Sequence, residues 1–447
     1  MNIAFISFII LITICLFLFV SEYHKKNDFF HPSVFTFGYF LLSNIVYLYS
    51  ISTNPKILTK TSSFSLISSP ELAIFKYYVI QSLYFVILYI SMSLVKYQIG
   101  IQKSKKFIPM NNRDQISILY YLALCLSVFC FVLFLISNGG LSAIILKWGY
   151  NNRADLVTGN IFTQLMFALN PILAGLNQYM YSIKKIRRYQ MILMIVYLAL
   201  LSMMDGSRGG TLAIVVISII SYSYVNQTVK LNYFIKHSWI LILLVPFFIL
   251  MPNLRMGKVG DNFLNNPISI LTPETSVFED NLSKWKDLSR ADIQIFIIDH
   301  FSNKDFWYGN SFKNILFGLI PKKFYPNKPA IDDGRYICSL SMGFDVNPNA
   351  PSDQVEAYTA WPSRTIGTWY ANFGIIGVIL AAFIIGKIYI FFYQNIYTNN
   401  ILYILLYPIV LFSLNLSVLG IVNFFILIIT ISMLMFISRI IISLKKR

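Results

Sequence analysis

Apolar residues along this chain come in long runs rather than in alternation. The runs fall at about 2–21, 33–51, 72–95, 116–137, 161–182, 190–204, 211–226, 238–252, 366–393, 401–419 and 421–442. About 20 apolar residues cross the hydrocarbon of a bilayer as a helix. In lipid every backbone N–H and C=O must be paired within the segment. The pattern therefore predicts an all-α polytopic integral membrane protein with about eleven transmembrane helices. The short alternating strands of a membrane barrel are not part of the pattern. The runs at 190–204 and 211–226 are short, and a turn at Gly420 is expected to separate the last two. The first run, Asn2 to Val20, lacks the basic n-region and small-residue cleavage site of a signal peptide, and is expected to be the first membrane helix. Three parts follow. Residues 1–252 hold about eight helices, 253–365 form one large water-facing loop, and 366–447 hold about three helices.

Charge sharpens the picture by its placement. Only 12% of residues are charged, against about 25% in a soluble domain. The net charge of +17 comes from Lys and Arg in short segments between runs. That is the positive-inside distribution, and no basic groove or nucleic-acid module accompanies it, so nucleic-acid binding is excluded. Lys25 and Lys26, then Lys103, Lys105, Lys106 and Arg113, mark cytoplasmic segments. So do Lys184, Lys185, Arg187 and Arg188, then Lys230 and Lys236, and finally Lys445, Lys446 and Arg447. Eleven crossings satisfy all five marks with the N-terminus outside and the C-terminus in the cytoplasm. Segments 52–71, 138–160, 205–210 and 253–365 then share the outer, periplasmic face of a bacterial inner membrane.

The loop 253–365 holds most of the chain's 19 acidic residues and nearly as many Lys and Arg. A connection this long is usually functional or a small domain. Ala291–His300 and Ser311–Ile320 look like short amphipathic helices lying on the membrane or over a cavity. Pro321, Pro326, Pro329, Pro348 and Pro351 break the chain around them into turns. Cys15, Cys125 and Cys130 sit in apolar runs and Cys338 stands alone in the loop, so no disulfide framework is expected.

Ionisable groups near membrane depth are costly and point to function. Asp205-Gly206-Ser207-Arg208-Gly209-Gly210 lies between two short helices. It reads equally well as an anion site, with Arg208 at a helix N-terminus, or as a tight hairpin with a snorkelling arginine. Arg255, Arg290, Arg335 and Arg364 add cations in or beside the loop. His300 is the only histidine on the expected outer face and can act as a base near neutral pH. Asp353 and Glu356 lie near the return to the membrane, and Asp332-Asp333 form a pair. None has metal-ligand spacing, and no phosphate-binding loop, nucleophile elbow or dinucleotide fingerprint is present. Aromatics such as Phe306, Trp307, Tyr308, Tyr336 and Trp361 suit either sugar faces or interface anchoring.

Three stretches carry a family resemblance. They are Asp205–Leu212 (DGSRGGTL), Gly318–Pro329 (GLIPKKFYPNKP) and Gly367–Val378 (GTWYANFGIIGV). In order, spacing and topology the chain resembles the O-antigen (oligosaccharide repeat unit) polymerases of the Wzy type. Members often carry an acid where this chain has Thr368, so no catalytic acid is assigned there. The resemblance implies a GT-C-like lipid-linked glycosyltransferase architecture that works without metal or other cofactor. It implies donor and acceptor oligosaccharides linked through pyrophosphate to undecaprenol. The growing chain is transferred onto the next lipid-linked unit, and undecaprenyl pyrophosphate is released. A chain-length regulator protein is a partner implied by the family, and membrane lipids surround the helices. On this view Arg208, Arg255 and Arg290 grip pyrophosphate, with Arg364 a further candidate. His300, Asp353 or Glu356 deprotonates the acceptor hydroxyl, and the residues do not choose among the three.

An O-antigen ligase, which would pass the same donor to lipid A–core, also fits a large outer loop bearing a histidine. A repeat-unit flippase would need pseudo-symmetric halves and short loops, which the sequence lacks. His237 lies beside Lys236 in a cytoplasmic segment and gives little support to an acyltransferase.

Overall fold

The protein is described here by a computed structural model. It describes residues 2–59, 64–94, 113–141, 143–144, 161–203, 208–225, 289–318, 320, 324–355, 357, 360–398 and 400–445. The described residues are helical and contain no strand beyond an isolated bridge between Pro329 and Pro351. Among the described residues, twelve α-helices of nine residues or more carry the architecture: α1 Ile3–Lys26, α2 Pro32–Thr53, α3 Pro70–Ser93, α4 Arg113–Asn138, α5 Ile161–Ser182, α6 Arg188–Met203, α7 Arg208–Val225, α8 Ala291–Asn303, α9 Asp333–Ser341, α10 Arg364–Asn395, α11 Ile401–Ser413 and α12 Val418–Lys445. Six described helices (α1 to α4, α10 and α12) are long and apolar enough to cross a membrane, as in a polytopic membrane protein. α6, α7 and α11 are apolar but shorter. The run expected at 238–252 lies outside the described residues.

Local sequence explains the helix ends. The Asn2 side chain accepts from Ala4 N at the start of α1, and Asn27 takes the left-handed conformation just past its end. Pro32 and Pro70 occupy the first positions of α2 and α3, where a missing N–H costs nothing. Outward-facing apolar residues such as Phe17, Leu42, Ile136 and Ile376 are exposed, as lipid-facing positions are.

The chain divides into two compact units. One comprises residues 1–98, 274–391 and 415–422, and holds α1, α2, α3, α8, α9 and α10 as far as Phe391. In it α1 packs on α2 and α3, and α8 packs on α3. The other comprises residues 99–273, 392–414 and 423–447. There α5 packs against α4, α6 and α7, and α7 also meets α11. Polar residues link these helices: Ser127 Oγ donates to Asn170 Oδ1 and Asn170 Nδ2 to Ser202 Oγ. Gly175 on α5 leaves room for the Leu405 side chain of α11, the close approach small residues permit between membrane helices.

Three expectations need correction. The break expected at Gly420 falls earlier, at Leu414–Ser417, and Gly420 lies inside α12. Asn415 Oδ1 caps Ser417 N there and Ser417 Oγ accepts from Gly420 N, so polar capping rather than glycine makes the turn. The helix expected over Ala291–His300 forms, but it does not lie on a surface. Every residue from Ala291 to Asp299 is buried, polar ones included. Packing on all sides makes it a core helix. Ser311–Ile320 forms a 3-10 helix at Asn310–Phe317, with Ser311 and Asn314 buried and Leu316 exposed.

The run read as one span over 366–393 is a kinked helix, α10, broken at Gly374 (φ 61°, ψ −146°). Only glycine adopts such a conformation readily. A side chain there would also meet the Phe306 ring at 2.9 Å. A straight helix pairs the carbonyls of Ala371 and Asn372 with N–H groups four residues on. Here those carbonyls accept from Trp307 N and Tyr308 N, at 2.9 and 3.0 Å.

Candidate functional site

Two arginines stand at the heads of two helices. Arg290 immediately precedes α8 and Arg364 begins α10, and both have left-handed backbones, with φ of 54° and 52°. Positive φ is uncommon for a residue with a side chain and marks positions worth functional scrutiny. Both arginines are partly exposed. Arg364 lies within electrostatic reach of Arg290, Asp292, Tyr39 and Tyr77. Two like charges thus share one neighbourhood with a buried carboxylate, Asp292. The cluster is partly dry and lies at helix N-termini, whose dipoles favour an anion.

The segment that begins at Ser289 packs against α2 and α3. Ser289, just before Arg290, donates from Oγ to Asn44 Oδ1 in the middle of α2, at 2.7 Å. Further along α8, Asp299 lies 4.0 Å from Lys76 of α3. Burial raises the Asp299 carboxyl, and Lys76 opposes part of that shift.

The start of α10 is laced in place by side chains. The carboxylate of Asp333, at the head of α9, accepts from Ser363 Oγ at 2.9 Å, and its second oxygen meets the Thr368 hydroxyl. The two hydroxyls are themselves 2.8 Å apart. Trp361 N donates to Gly334 O, and a side chain at 334 would run into the Trp361 carbonyl. From the other side, Thr365 Oγ1 donates to Asn415 Oδ1 and accepts from Leu416 N, while Trp369 Nε1 donates to Leu416 O. Burial pushes Asp333 up to about 7, with Asp332 beside it adding to the shift, and burial raises Asp332 as well.

An open cleft of about 570 Å³ lies at the far end of α8. Its walls include Phe301, Phe306 and Tyr370, with Asn303, Lys304 and Asp305 at the edge. The Tyr370 hydroxyl lies 3.1 Å from Ser302 Oγ. Tyr308 stands beside Phe306, edge to face, and is 70% exposed. Aromatic faces with amide, carboxylate and ammonium groups around them suit a polyhydroxylated ligand.

Of the residues singled out from sequence, the structure brings Arg290 and Arg364 together. His300 is ten residues along α8 from Arg290, about 15 Å by helix rise. It is half-buried against Phe296 and Phe301, and burial, then Lys304, lowers its pKa, with Asp345 opposing. It is therefore nearer the cleft than the arginines. Asp353 is exposed in the turn after Pro351. Arg208 heads α7 in the other compact unit. Glu356, Arg255 and Asp205–Ser207 lie outside the described residues, as do Leu319 and Pro321–Lys323 of the GLIPKKFYPNKP stretch. The rest of that stretch folds back on itself: Lys328 Nζ donates to Ile320 O at 2.6 Å and Ser352 N to Lys328 O.

The sequence reading missed Asp292 and the way Asp333 is used. Asp292 looked like one polar residue of an amphipathic helix, and only its position one turn from an arginine-bearing N-terminus marks it. Among the described residues no three His, Cys, Asp or Glu side chains gather closely enough to hold a metal ion. No family model, curated protein or solved structure matches the chain.

Proposed function

We propose that the chain is an O-antigen-type polymerase, extending a glycan carried on undecaprenyl pyrophosphate at the outer face of a bacterial inner membrane. The observation that carries this reading is the Arg290–Arg364 pair, partly exposed at two helix heads among apolar membrane helices. Two adjacent cations in a low-dielectric site repel each other, and a doubly charged ligand relieves that repulsion. Arginine's planar fork suits phosphate oxygens. A lipid-linked pyrophosphate meets both demands at once, an apolar tail among helices and an anionic head at their outer ends.

In this reading the arginines hold the donor's pyrophosphate. The bond between its anomeric carbon and the pyrophosphate oxygen breaks, and charge grows on that oxygen, where preorganised cations act most strongly. A new glycosidic bond forms to the acceptor hydroxyl. The proton that hydroxyl loses passes to solvent. Undecaprenyl pyrophosphate leaves as the anion. The open cleft beside Phe306 and Tyr370, about 20 Å from Arg290 by helix rise, offers aromatic faces to the glycan. The same architecture would be a lipid-linked glycosyltransferase of GT-C-like type.

The test is a gel of lipopolysaccharide from the source strain with the gene deleted and then restored. The expected result is collapse of the ladder to core bearing one repeat unit, with recovery on restoration. Core without any repeat unit would move the chain to ligation or flipping, and an unchanged ladder would overturn the proposal.

A further inference from the structure

We propose that Asp333 is a positioning residue: through Ser363 and Thr368 it sets the left-handed turn that presents Arg364 to the anion. The inference rests on the arginine site proposed above, and extends it to a residue that touches no substrate.

The geometry is a closed ring. Asp333, 2% exposed, contacts the hydroxyls of Ser363 and Thr368, which contact each other. These two residues bracket Arg364, whose φ of 52° is held against its intrinsic preference. Thr368 Oγ1 is one helical turn along α10 from Arg364, so the ring ties the residue before the turn to the helix after it. Gly334, next to Asp333, presses its backbone on Trp361 and fixes the distance between the two strands of chain.

Proton counting adds a second argument. Three contacts close the ring, and each needs one proton. Ser363 and Thr368 bring two. An ionised Asp333 leaves one contact without a proton, two oxygens facing each other in a buried place. A protonated Asp333 supplies the third: it donates to Thr368, Thr368 to Ser363, and Ser363 back to Asp333 Oδ1. The elevated affinity of Asp333 for its proton agrees with this count. The charged or titratable groups within its electrostatic reach are Asp332 at the cap of α9, which favours the protonated form, and Tyr336 one turn on. Arg335 acts on Asp332 rather than on Asp333.

The count makes a distinctive prediction. Asn at 333 offers a donor and an acceptor where the protonated acid does, in nearly its shape, so it keeps the ring, whereas Ala opens it. The experiment titrates inorganic pyrophosphate into the full chain in lipid nanodiscs at about pH 6 and about pH 8. Asp333→Ala should weaken binding about tenfold at the lower value and only a few-fold at the higher, where the wild-type ring has itself lost its proton. Asp333→Asn should match wild type at the lower pH and bind several-fold tighter than wild type at the higher. The ratio of the two proteins cancels the ligand's own titration. On an Arg364→Ala background the three residues at 333 should be indistinguishable.

Wild-type binding by Asp333→Ala, or a loss that persists in full without Arg364, would overturn the proposal. If the wild-type chain does not bind pyrophosphate, the reading of the arginine site fails instead. Hydrogen exchange over residues 361–369 then decides the role of Asp333. Faster exchange in Asp333→Ala but not in Asp333→Asn supports the ring, and equal exchange in all three removes it.

Discussion

The heads of α8 and α10 solve one problem in two ways. Each holds an arginine in a left-handed turn. At Arg290 the support is mainly packing, with one hydrogen bond between uncharged groups, Ser289 to Asn44: the whole of Ala291–Asp299 is buried, and Phe296 and Ile297 are almost wholly enclosed. At Arg364 the support is a set of directed polar bonds, from Asp333 on one side and from Asn415 and Leu416 on the other. Packing depends on volume and is indifferent to pH. Directed bonds depend on protons and angles. The two arginines of one site should therefore fail under different insults.

The comparison breaks most visibly when either arginine is removed. Arg290→Ala and Arg364→Ala should each lower polymerisation about 100-fold or more at equal protein level. A ladder that survives one substitution but not the other would end the idea of a pair. Next in size are changes to the two supports. Phe296→Ala should cost about 3 kcal/mol or more of stability, as a core cavity does, measured by thermal unfolding in detergent. Gly334→Ala, which drives a methyl into a backbone carbonyl, should be worse than Gly367→Ala, whose methyl meets the movable Ile297 Cδ1 at 2.7 Å.

The pH test is smaller and separates the supports. Asp333 binds its proton more tightly in the folded chain, up to about 7 from an ordinary 3.8. The stability this proton confers is complete below the unfolded value and is lost as pH rises through about 7. The melting temperature should fall from about pH 5 to about pH 8. Asp333→Asn should flatten most of that slope and leave the part due to Asp332, which burial also raises. An identical slope in wild type and Asp333→Asn would count against the ring. The smallest effect expected is from His300→Gln. Its distance from Arg290 predicts a ladder altered by no more than about threefold, and a collapsed ladder would show His300 to be the base.

Much of the fold was legible in the pattern, because apolar runs of helix length have few ways to satisfy their backbone in lipid. The spans at α1, α2, α3 and α4 follow from it directly. Less local features were not legible. Ala291–Asp299 has polar residues at intervals that suit a surface helix, and its full burial depends on polar partners supplied by other helices, such as Lys76 opposite Asp299. The break at Gly374 was visible as a glycine but not as a kink, since its donors, Trp307 and Tyr308, lie more than sixty residues away. Residue type picked out Arg290 and Arg364, for a cation beside a membrane needs a reason. Their pairing, and the contact of Asp333 with both Ser363 and Thr368, is tertiary information that no spacing along the chain contains.

The kink at Gly374 also bears on how the chain is made. Trp307 and Tyr308 leave the ribosome before Ala371 and Asn372, so at this joint the donors are synthesised first and the acceptors arrive to meet them. The segment bearing Trp307 and Tyr308 must therefore already be in place when this part of α10 packs, or two carbonyls enter an apolar medium unmatched. Assembly of the last helices is in this way conditional on the placement of the loop that precedes them.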